Sequence, residues 1–216
     1  MPIDLVALAE AARKDGWATA ATTIADIEHR AAILGWQTVP TRPGDPHVTN
    51  LRPSSSTPKP SLSATYGFGA FPLHTDGAHL QQPPDLVVLE ADHPSLTPTL
   101  LWTFALEHER AASIRPDLRN GIFLVASASE RTLQTAQIGT AIRFDPGCMT
   151  PCDQRARRVA DFFGEALGRA RPHLWKGPGH VLVIDNRRML HARGQVGEAD
   201  AGRSLTRLML RTGSGS

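Results

Sequence analysis

The clearest strand in this sequence is the run His180-Val181-Leu182-Val183-Ile184-Asp185. Its residues are apolar and largely β-branched, and glycine or a turn residue bounds it on each side, which is typical of a strand. Similar runs occur at residues 85–90, 121–126 and 204–210. Short strands separated by glycine and proline predict a mainly β fold, an all-β sandwich or barrel, with helices flanking it.

Three helices are predicted around these strands. Residues 1–40 form a helical lead-in: residues 3–14 carry apolar side chains at helical spacing, and a second helix starts after Thr23, with Asp26 three positions on, and stops at Gly35. The third helix, the one clear helix among the strands, is predicted with Thr150 as its cap and Pro151 in its first position. We expect the first two to pack on the outside of a sheet.

Length and composition predict one domain over residues 1–216. The chain has 216 residues and 41% hydrophobic content, enough to bury a core, which we place in residues 64–211. Residues 42–63 are rich in proline, serine, threonine and glycine, so a mobile loop is predicted there. Because this loop precedes the first candidate ligand, it is a candidate lid.

Charge and hydropathy patterns argue against several classes of partner. The 23 basic residues nearly balance 21 acidic ones, and aromatic residues do not alternate with the basic ones, so nucleic-acid binding is not expected. No apolar stretch approaches membrane-spanning length, and no basic region precedes an apolar run at the start of the sequence. We therefore expect a soluble cytoplasmic protein whose partner is a small molecule.

Three side chains are candidate metal ligands. His74 and Asp76 are two positions apart in the stretch Phe71-Pro72-Leu73-His74-Thr75-Asp76-Gly77, so they leave the same face of the chain if it is extended there. His191 follows downstream, after the strand at residues 180–185. Two imidazoles and one carboxylate with open positions suit non-haem Fe(II) and oxygen chemistry. A zinc hydrolase can use the same ligand types.

Two arginines near the end of the sequence favour the iron reading. Arg203 and Arg207 are spaced by four, so on a strand they share one face with Leu205 and Met209. If that face points inward, both guanidinium groups need anionic partners, and a dicarboxylate cosubstrate supplies one. If it points outward, both are surface charges paired with surface acids.

The quoted motifs, residues 71–76, 175–193 and 202–210, together resemble the Fe(II)/2-oxoglutarate dioxygenases related to taurine dioxygenase, γ-butyrobetaine hydroxylase and clavaminate synthase. The resemblance implies a double-stranded β-helix, or jelly roll. It implies His74, Asp76 and His191 as the iron ligands. Arg203 resembles the arginine that pairs with the far carboxylate of 2-oxoglutarate. Arg207 resembles a second arginine near the cosubstrate or a substrate anion.

The same resemblance implies the activity. Thr99 matches a threonine that hydrogen-bonds 2-oxoglutarate, and the cofactors are Fe(II), 2-oxoglutarate and O₂. The expected reaction is hydroxylation of an unactivated C–H bond in an amino-acid-like or natural-product substrate, with desaturation or ring formation left open. The alternative is a jelly-roll module that binds a metal or ligand without turnover. The short segment between Asp76 and His191 leaves the pocket either open or completed by a second subunit in a homo-oligomer.

Overall fold

The computed structural model describes residues 3–54, 62–127 and 129–213, with the backbone alone at residues 108 and 109. The α-helices are α1 (Leu5–Asp15), α2 (Ile24–Ile33), α3 (Leu62–Tyr66), α4 (His108–Asn120) and α5 (Gln154–Ala166). Short 3₁₀ helices span Phe104–Leu106, Leu167–Arg169 and Glu198–Asp200. No helix in these ranges is long and apolar enough to cross a membrane.

The strands, in chain order, are β1 (Trp17–Ala20), β2 (Gln37–Thr38), β3 (Val48–Leu51), β4 (Leu86–Ala91), β5 (Ser95–Thr103), β6 (Phe123–Ala126), β7 (Arg131–Gln134), β8 (Gln137–Ile138), β9 (Ala141–Ile142), β10 (Met149–Pro151), β11 (Arg171–Trp175), β12 (Val181–Asp185), β13 (Met189–Arg193) and β14 (Leu205–Arg211). The four strands predicted from sequence correspond to β4, β6, β12 and β14. The predicted fold class, mainly β with flanking helices, is confirmed.

Two antiparallel sheets form the centre of the fold. The main sheet runs in the order β1-β12-β4-β14-β2, and β3 also pairs with β14. The second sheet runs in the order β11-β5-β13. A third sheet, β10-β6-β7, and the β8-β9 pair are formed by the part of the chain between β5 and β11. Strand order differs strongly from chain order in both central sheets, as expected when strands are exchanged between two facing sheets.

The core between the two central sheets is built by alternation along each strand. In β12, Leu182 and Ile184 join the core shared with the second sheet, whereas Val181 and Val183 pack under the helices. From the second sheet, Leu101 in β5 and Trp175 in β11 contribute side chains to this core. Because both faces of β12 are covered, its apolar run has no polar interruption.

Helices α1 and α2 cover the outer face of the main sheet, as predicted. Thr23 and Asp26 form a reciprocal capping box at the start of α2, which satisfies backbone N–H groups that the first turn leaves unpaired. Gly16 ends α1 with a φ of 91°, a left-handed conformation that glycine adopts without steric cost. The apolar stripes of both helices are buried, including Leu5, Ile27 and Ala31.

The helix predicted to start at Thr150 begins later. Met149–Pro151 is strand β10, paired with β6, and the helix cap is Asp153, whose side chain accepts a hydrogen bond from the backbone N–H of Ala156. Pairing of this segment with β6 therefore outweighed the helix-start signal of Thr150 and Pro151. Helix α4, which packs with α5 over the third sheet, was not predicted, because it is strongly polar and contains Pro116.

The prediction of a loop at residues 42–63 is wrong for part of this segment. Strand β3 lies inside it and pairs with β14 over four residues. The pairing arises from the tertiary structure, since Val48–Leu51 is too short and too mixed to indicate a strand alone. Residues 55–61 of this segment lie outside the described residues, and the lid function remains a prediction.

Candidate metal site

His74 and His191 are paired directly across two chain segments. They form an isolated antiparallel bridge in which each backbone N–H donates to the other residue's carbonyl, both at 2.9 Å. Paired residues in an antiparallel ladder project to the same face, and the two imidazole ring centroids are 4.4 Å apart. Strand β5 holds the other edge of β13, with Leu101 opposite His191.

The chain is extended from His74 to Thr75 and turns at Asp76. Thr75 points away from the histidines and exchanges hydrogen bonds with Phe144, so His74 and Asp76 share the opposite side. Gly77 then adopts a φ of 67°, and a Cβ there would come within 2.7 Å of Pro84. The prediction that an extended stretch brings His74 and Asp76 together is confirmed, and the Asp76-Gly77 turn ends that stretch.

The three predicted ligands meet. One donor atom from each of His74, Asp76 and His191 lies within 4.8 Å of the others, and all three residues are buried. His74 Nδ1 is 3.0 Å from the Pro72 carbonyl, which can only accept, so this nitrogen carries the proton and Nε2 keeps its lone pair. His191 Nε2 lies 3.4 Å from Asp76 Oδ2. This donor set and its orientation fit a divalent transition metal.

Asp76 is fully supported by its neighbours. The Asn186 side chain accepts from the Asp76 backbone N–H and donates to its carbonyl, both at 2.9 Å, and also donates to the Pro84 carbonyl. Asn186 lies in the turn between β12 and β13, and His191 is in β13, so one buried amide connects Asp76 to the segment that carries His191.

Arg207 forms an ion pair with the Asp76 carboxylate. Its Nη1 lies 2.5 Å from Asp76 Oδ1, and its Nη2 donates to the Thr41 hydroxyl at 2.6 Å. Burial alone would raise the pKa of Asp76, but Arg207 and the two histidines outweigh it and hold that pKa below its ordinary value. Asp76 is therefore a carboxylate whose second oxygen, Oδ2, faces the histidines. No local sequence signal pointed to Thr41.

The Arg203 side chain is buried, and no described residue pairs with its guanidinium group. It is 3% exposed, its Nε and Nη2 atoms are enclosed, and its guanidinium makes no hydrogen bond or ion pair with any described residue. The nearest acid, Asp200, is occupied by Ser95 and Thr97, with the Thr97 backbone N–H at 2.6 Å. Burial lowers the pKa of Arg203, and Asp200 only partly opposes this. A buried guanidinium without a counterion is costly, so an anion bound beside Arg203 would stabilise the site.

Arg193, in strand β13, lies close enough to Arg203 for their charges to interact. Its guanidinium carbon is 3.7 Å from the centre of the Phe71 ring, and its Nη2 donates to the carbonyls of Gly67 and Gly69 at 2.5 and 2.7 Å. Burial, with the charge of Arg203, lowers the pKa of Arg193 to about 10. Arg193 therefore holds the segment that leads into His74. No local sequence pattern indicated this contact with Phe71.

Thr99 is buried opposite Arg193 in the pairing of β5 with β13. Its hydroxyl oxygen accepts a hydrogen bond from Trp175 Nε1 at 3.2 Å. The described contacts do not join Thr99 to any of the three ligands. Its place in the register nonetheless puts it two residue pairs along from the pair of His191 and Leu101, on the same face of the sheet.

Similar structures share this fold. No protein-family model matches the chain, and no curated protein matches its sequence. A crystal structure of asparagine oxygenase with Fe(II), 2S,3S-3-hydroxyasparagine and succinate superposes with a TM-score of 0.78 at 16% identity, covering 97% of this chain and 78% of that one. The Fe, alpha-ketoglutarate dependent oxygenase PvcB gives 0.65 at 18% identity, covering 96% and 80%.

A third structure, the non-heme iron oxygenase OrfP with (3S)-hydroxy-L-Arg, gives a TM-score of 0.60 at 24% identity. The match covers 80% of this chain and 59% of OrfP, so this chain spans less than two thirds of that relative. Another OrfP structure holds Fe and alpha-ketoglutaric acid. At these identities the likeness establishes the fold: the chain has the jelly-roll fold of Fe/2-oxoglutarate oxygenases, as the sequence predicted.

Proposed function

We propose that this chain is an Fe(II)/2-oxoglutarate-dependent oxygenase that hydroxylates an unactivated C–H bond of a small amino-acid-like or natural-product substrate, with 2-oxoglutarate converted to succinate and CO₂. One observation carries the proposal: a buried cluster of His74, Asp76 and His191 lies in a site that also contains an uncompensated cation, Arg203. A metal site without the cosubstrate would not need this second feature.

His74, Asp76 and His191 are the residues that would hold the iron. Their chemistry fits, since two neutral imidazoles and one carboxylate leave coordination positions for further ligands. Fe(II) bound there with 2-oxoglutarate and O₂ supplies the oxidising chemistry. The chain's part is to fix the donors: Pro72 sets the His74 tautomer, and Arg207 occupies Asp76 Oδ1 so that Oδ2 remains for the metal.

Arg203 is the proposed partner of the far carboxylate of 2-oxoglutarate. Its enclosed nitrogen atoms have no other acceptor among the described residues, and guanidinium binds carboxylate through two parallel hydrogen bonds. Thr99 is a second proposed cosubstrate contact. Its oxygen already accepts from Trp175, so its hydroxyl proton is free to be donated to a carboxylate oxygen.

Arg207 has a different proposed role from the one that the resemblance implied. Two of its nitrogen atoms are engaged by Asp76 and Thr41, so it orients a ligand of the metal and leaves little capacity for a substrate anion. An amino-acid-like substrate is supported by the neighbours that bind hydroxyasparagine and hydroxyarginine.

The test is a substrate screen with two readouts. The purified chain is incubated anaerobically with Fe(II) and 2-oxoglutarate, then with O₂ and a panel of amino acids and short peptides, and succinate and product mass are both measured. Succinate together with a gain of one oxygen in a panel member is expected. Absence of succinate under every condition, with iron bound, would favour the jelly-roll binding module instead. The His74→Ala variant is the matched control.

A further inference from the structure

A cavity lies outside the candidate metal site, at the end of the main sheet where β4 begins and β14 ends. Its volume is about 950 Å³, and its walls come from the end of α1, the residues before β4, the β12–β13 turn and the residues after β14. None of His74, Asp76, His191 and Arg203 lines it. We call it the basic cavity because of the side chains on its walls.

Five arginines and two carboxylates line the basic cavity: Arg13, Arg143, Arg187, Arg188 and Arg211, with Asp85 and Asp185. In the described part of the chain only one of these arginines forms an ion pair, Arg187 with Asp85 at 3.2 Å. Asp85 also accepts from the backbone and hydroxyl of Thr212, so its oxygens are occupied. The wall therefore carries an excess of positive charge.

The other four arginines donate to neutral oxygens on the cavity wall: Arg13 to the Thr212 hydroxyl, Arg143 to the Gln81 carbonyl, Arg188 to the Arg13 carbonyl and Arg211 to the Gln82 carbonyl. Each of these bonds uses one nitrogen of a group with five N–H donors. Because the acceptors are themselves lining residues, the guanidinium groups lie at the wall and retain unused donors there.

Arg143 is the strongest single indication of a ligand. It is 3% exposed, its Nε has no hydrogen-bond partner, and no described carboxylate lies within ion-pair distance. Glu130, which lines a neighbouring cavity of about 180 Å³ with Arg143, also makes no ion pair with it. Burial lowers the pKa of Arg143. A buried cation that lacks a counterion is costly unless an anion occupies the space beside it.

We propose that the basic cavity binds a small molecule carrying two or more phosphate groups. Several guanidinium groups around one concave volume match phosphate oxygens by charge and by fork geometry. The volume is that of a small-molecule site. None of the described residues that line the cavity is aromatic, so recognition depends on the anionic groups rather than on stacking of a base. This proposal is independent of the proposed oxygenase activity.

The experiment is calorimetric titration of the full chain with fructose 1,6-bisphosphate as the probe. We expect saturable binding that weakens at least tenfold in Arg143→Gln and in Arg188→Gln. Arg155→Gln removes the same charge from the exposed face of α5 and should change the affinity by less than twofold. Arg188 is exposed, so its variant keeps the test decisive if Arg143→Gln does not fold.

Five results would overturn the proposal. The first four are no binding of the bisphosphate, equal weakening by Arg155→Gln, equally tight binding of inorganic phosphate, and loss of binding in Arg203→Met. The second would reflect general charge attraction, the third a single-anion site, and the fourth a ligand in the candidate metal site. Tighter binding of a short DNA duplex that displaces the probe would also overturn it, since the cavity would then be part of a nucleic-acid surface.

Discussion

The two sides of the candidate metal site differ in how completely their charges are satisfied. On the Asp76 side, Asn186 and Arg207 engage the aspartate backbone and one carboxylate oxygen. On the Arg203 side, two guanidinium nitrogens of Arg203 and Nδ1 of His191 have no partner among the described residues. On the first side, Arg207 Nε is the one buried side-chain atom without a partner among the described residues, whereas on the second side the Arg203 guanidinium has no acceptor among them. A buried polar group left unpaired by the fold is therefore a guide to what binds.

The largest expected effect comes from removing one of the three candidate metal ligands. His74→Ala should abolish metal binding and turnover, because the remaining imidazole and carboxylate no longer form a facial set. Titration with Co(II) and the succinate assay measure the two losses separately. His29→Ala, at an exposed position on α2, is the control. Full turnover by the His74 variant would remove the basis for the metal site.

The two sides can be compared directly through the stability of two variants, each with one arginine replaced by methionine. Arg207→Met leaves Asp76 buried without its cation and should lower the free energy of unfolding by about 3 to 5 kcal/mol. Arg203→Met removes an uncompensated cation, so stability should be unchanged or higher. Chemical denaturation of the metal-free protein measures both.

The same two variants should separate in binding. Arg203→Met is expected to raise the apparent 2-oxoglutarate requirement far more than it alters metal affinity, whereas Arg207→Met should chiefly weaken metal binding. Equal destabilisation by the two variants, or an unchanged 2-oxoglutarate requirement in Arg203→Met, would contradict the distinction between the two sides.

A smaller effect is expected from the amide that completes the Asp76 side. Asn186→Leu preserves size but leaves the Asp76 backbone groups and the Pro84 carbonyl unpaired, which should cost about 1 to 3 kcal/mol. Metal affinity should fall by roughly 10- to 100-fold, as for other groups that orient ligands. Asn120→Leu, at the exposed end of α4, should leave metal affinity unchanged.

The smallest expected effect tests charge satisfaction far from the metal. The Glu107 side chain is buried and bonded to Trp102 Nε1 at 2.9 Å and Arg169 Nε at 2.8 Å. Burial would raise its pKa, but Arg169, Trp102 and Arg110 hold it below its ordinary value of 4.5. The ionised group therefore stabilises the fold above that pH and loses this contribution as the pH falls below it.

Glu107→Gln should accordingly lower stability by about 1.5 kcal/mol at neutral pH, and its difference from the wild type should shrink below a pH of about 4.5. Denaturation curves at several pH values provide the measurement. A difference that persists unchanged into acid would indicate that packing, not charge, is responsible.

The grouping of His74, Asp76 and His191 was predicted from the sequence better than the contacts that hold these side chains in place. His74 and Asp76 were found because a spacing of two has a direct geometric meaning on an extended chain. The partner of Arg207 could not be found in this way, since Asp76 and Thr41 approach it only after β14 takes its place in the main sheet. Similarly, Arg193 meets Phe71 through folding of distant segments, with no local pattern to indicate it.

The prediction of the secondary structure succeeded and failed along the same lines. Strands with long apolar runs, such as β12, and helices with explicit caps, such as α2, were predicted close to their observed bounds. Strand β3 and helix α4 were not, because the first depends on pairing with β14 and the second is polar and contains a proline. Local signals identify elements that are stabilised locally, and the others are assigned by tertiary contacts.

The bridge between His74 and His191 also has a kinetic consequence. Its two halves come from distant parts of the chain, and β14, the last strand, lies between β4 and the short strands β2 and β3. Such pairing gives a high contact order, which slows folding. During synthesis, His74 emerges from the ribosome well before His191, which is in β13. The two histidines can therefore bind a metal together only after β13 has joined its sheet, so metal binding should follow formation of the sheet.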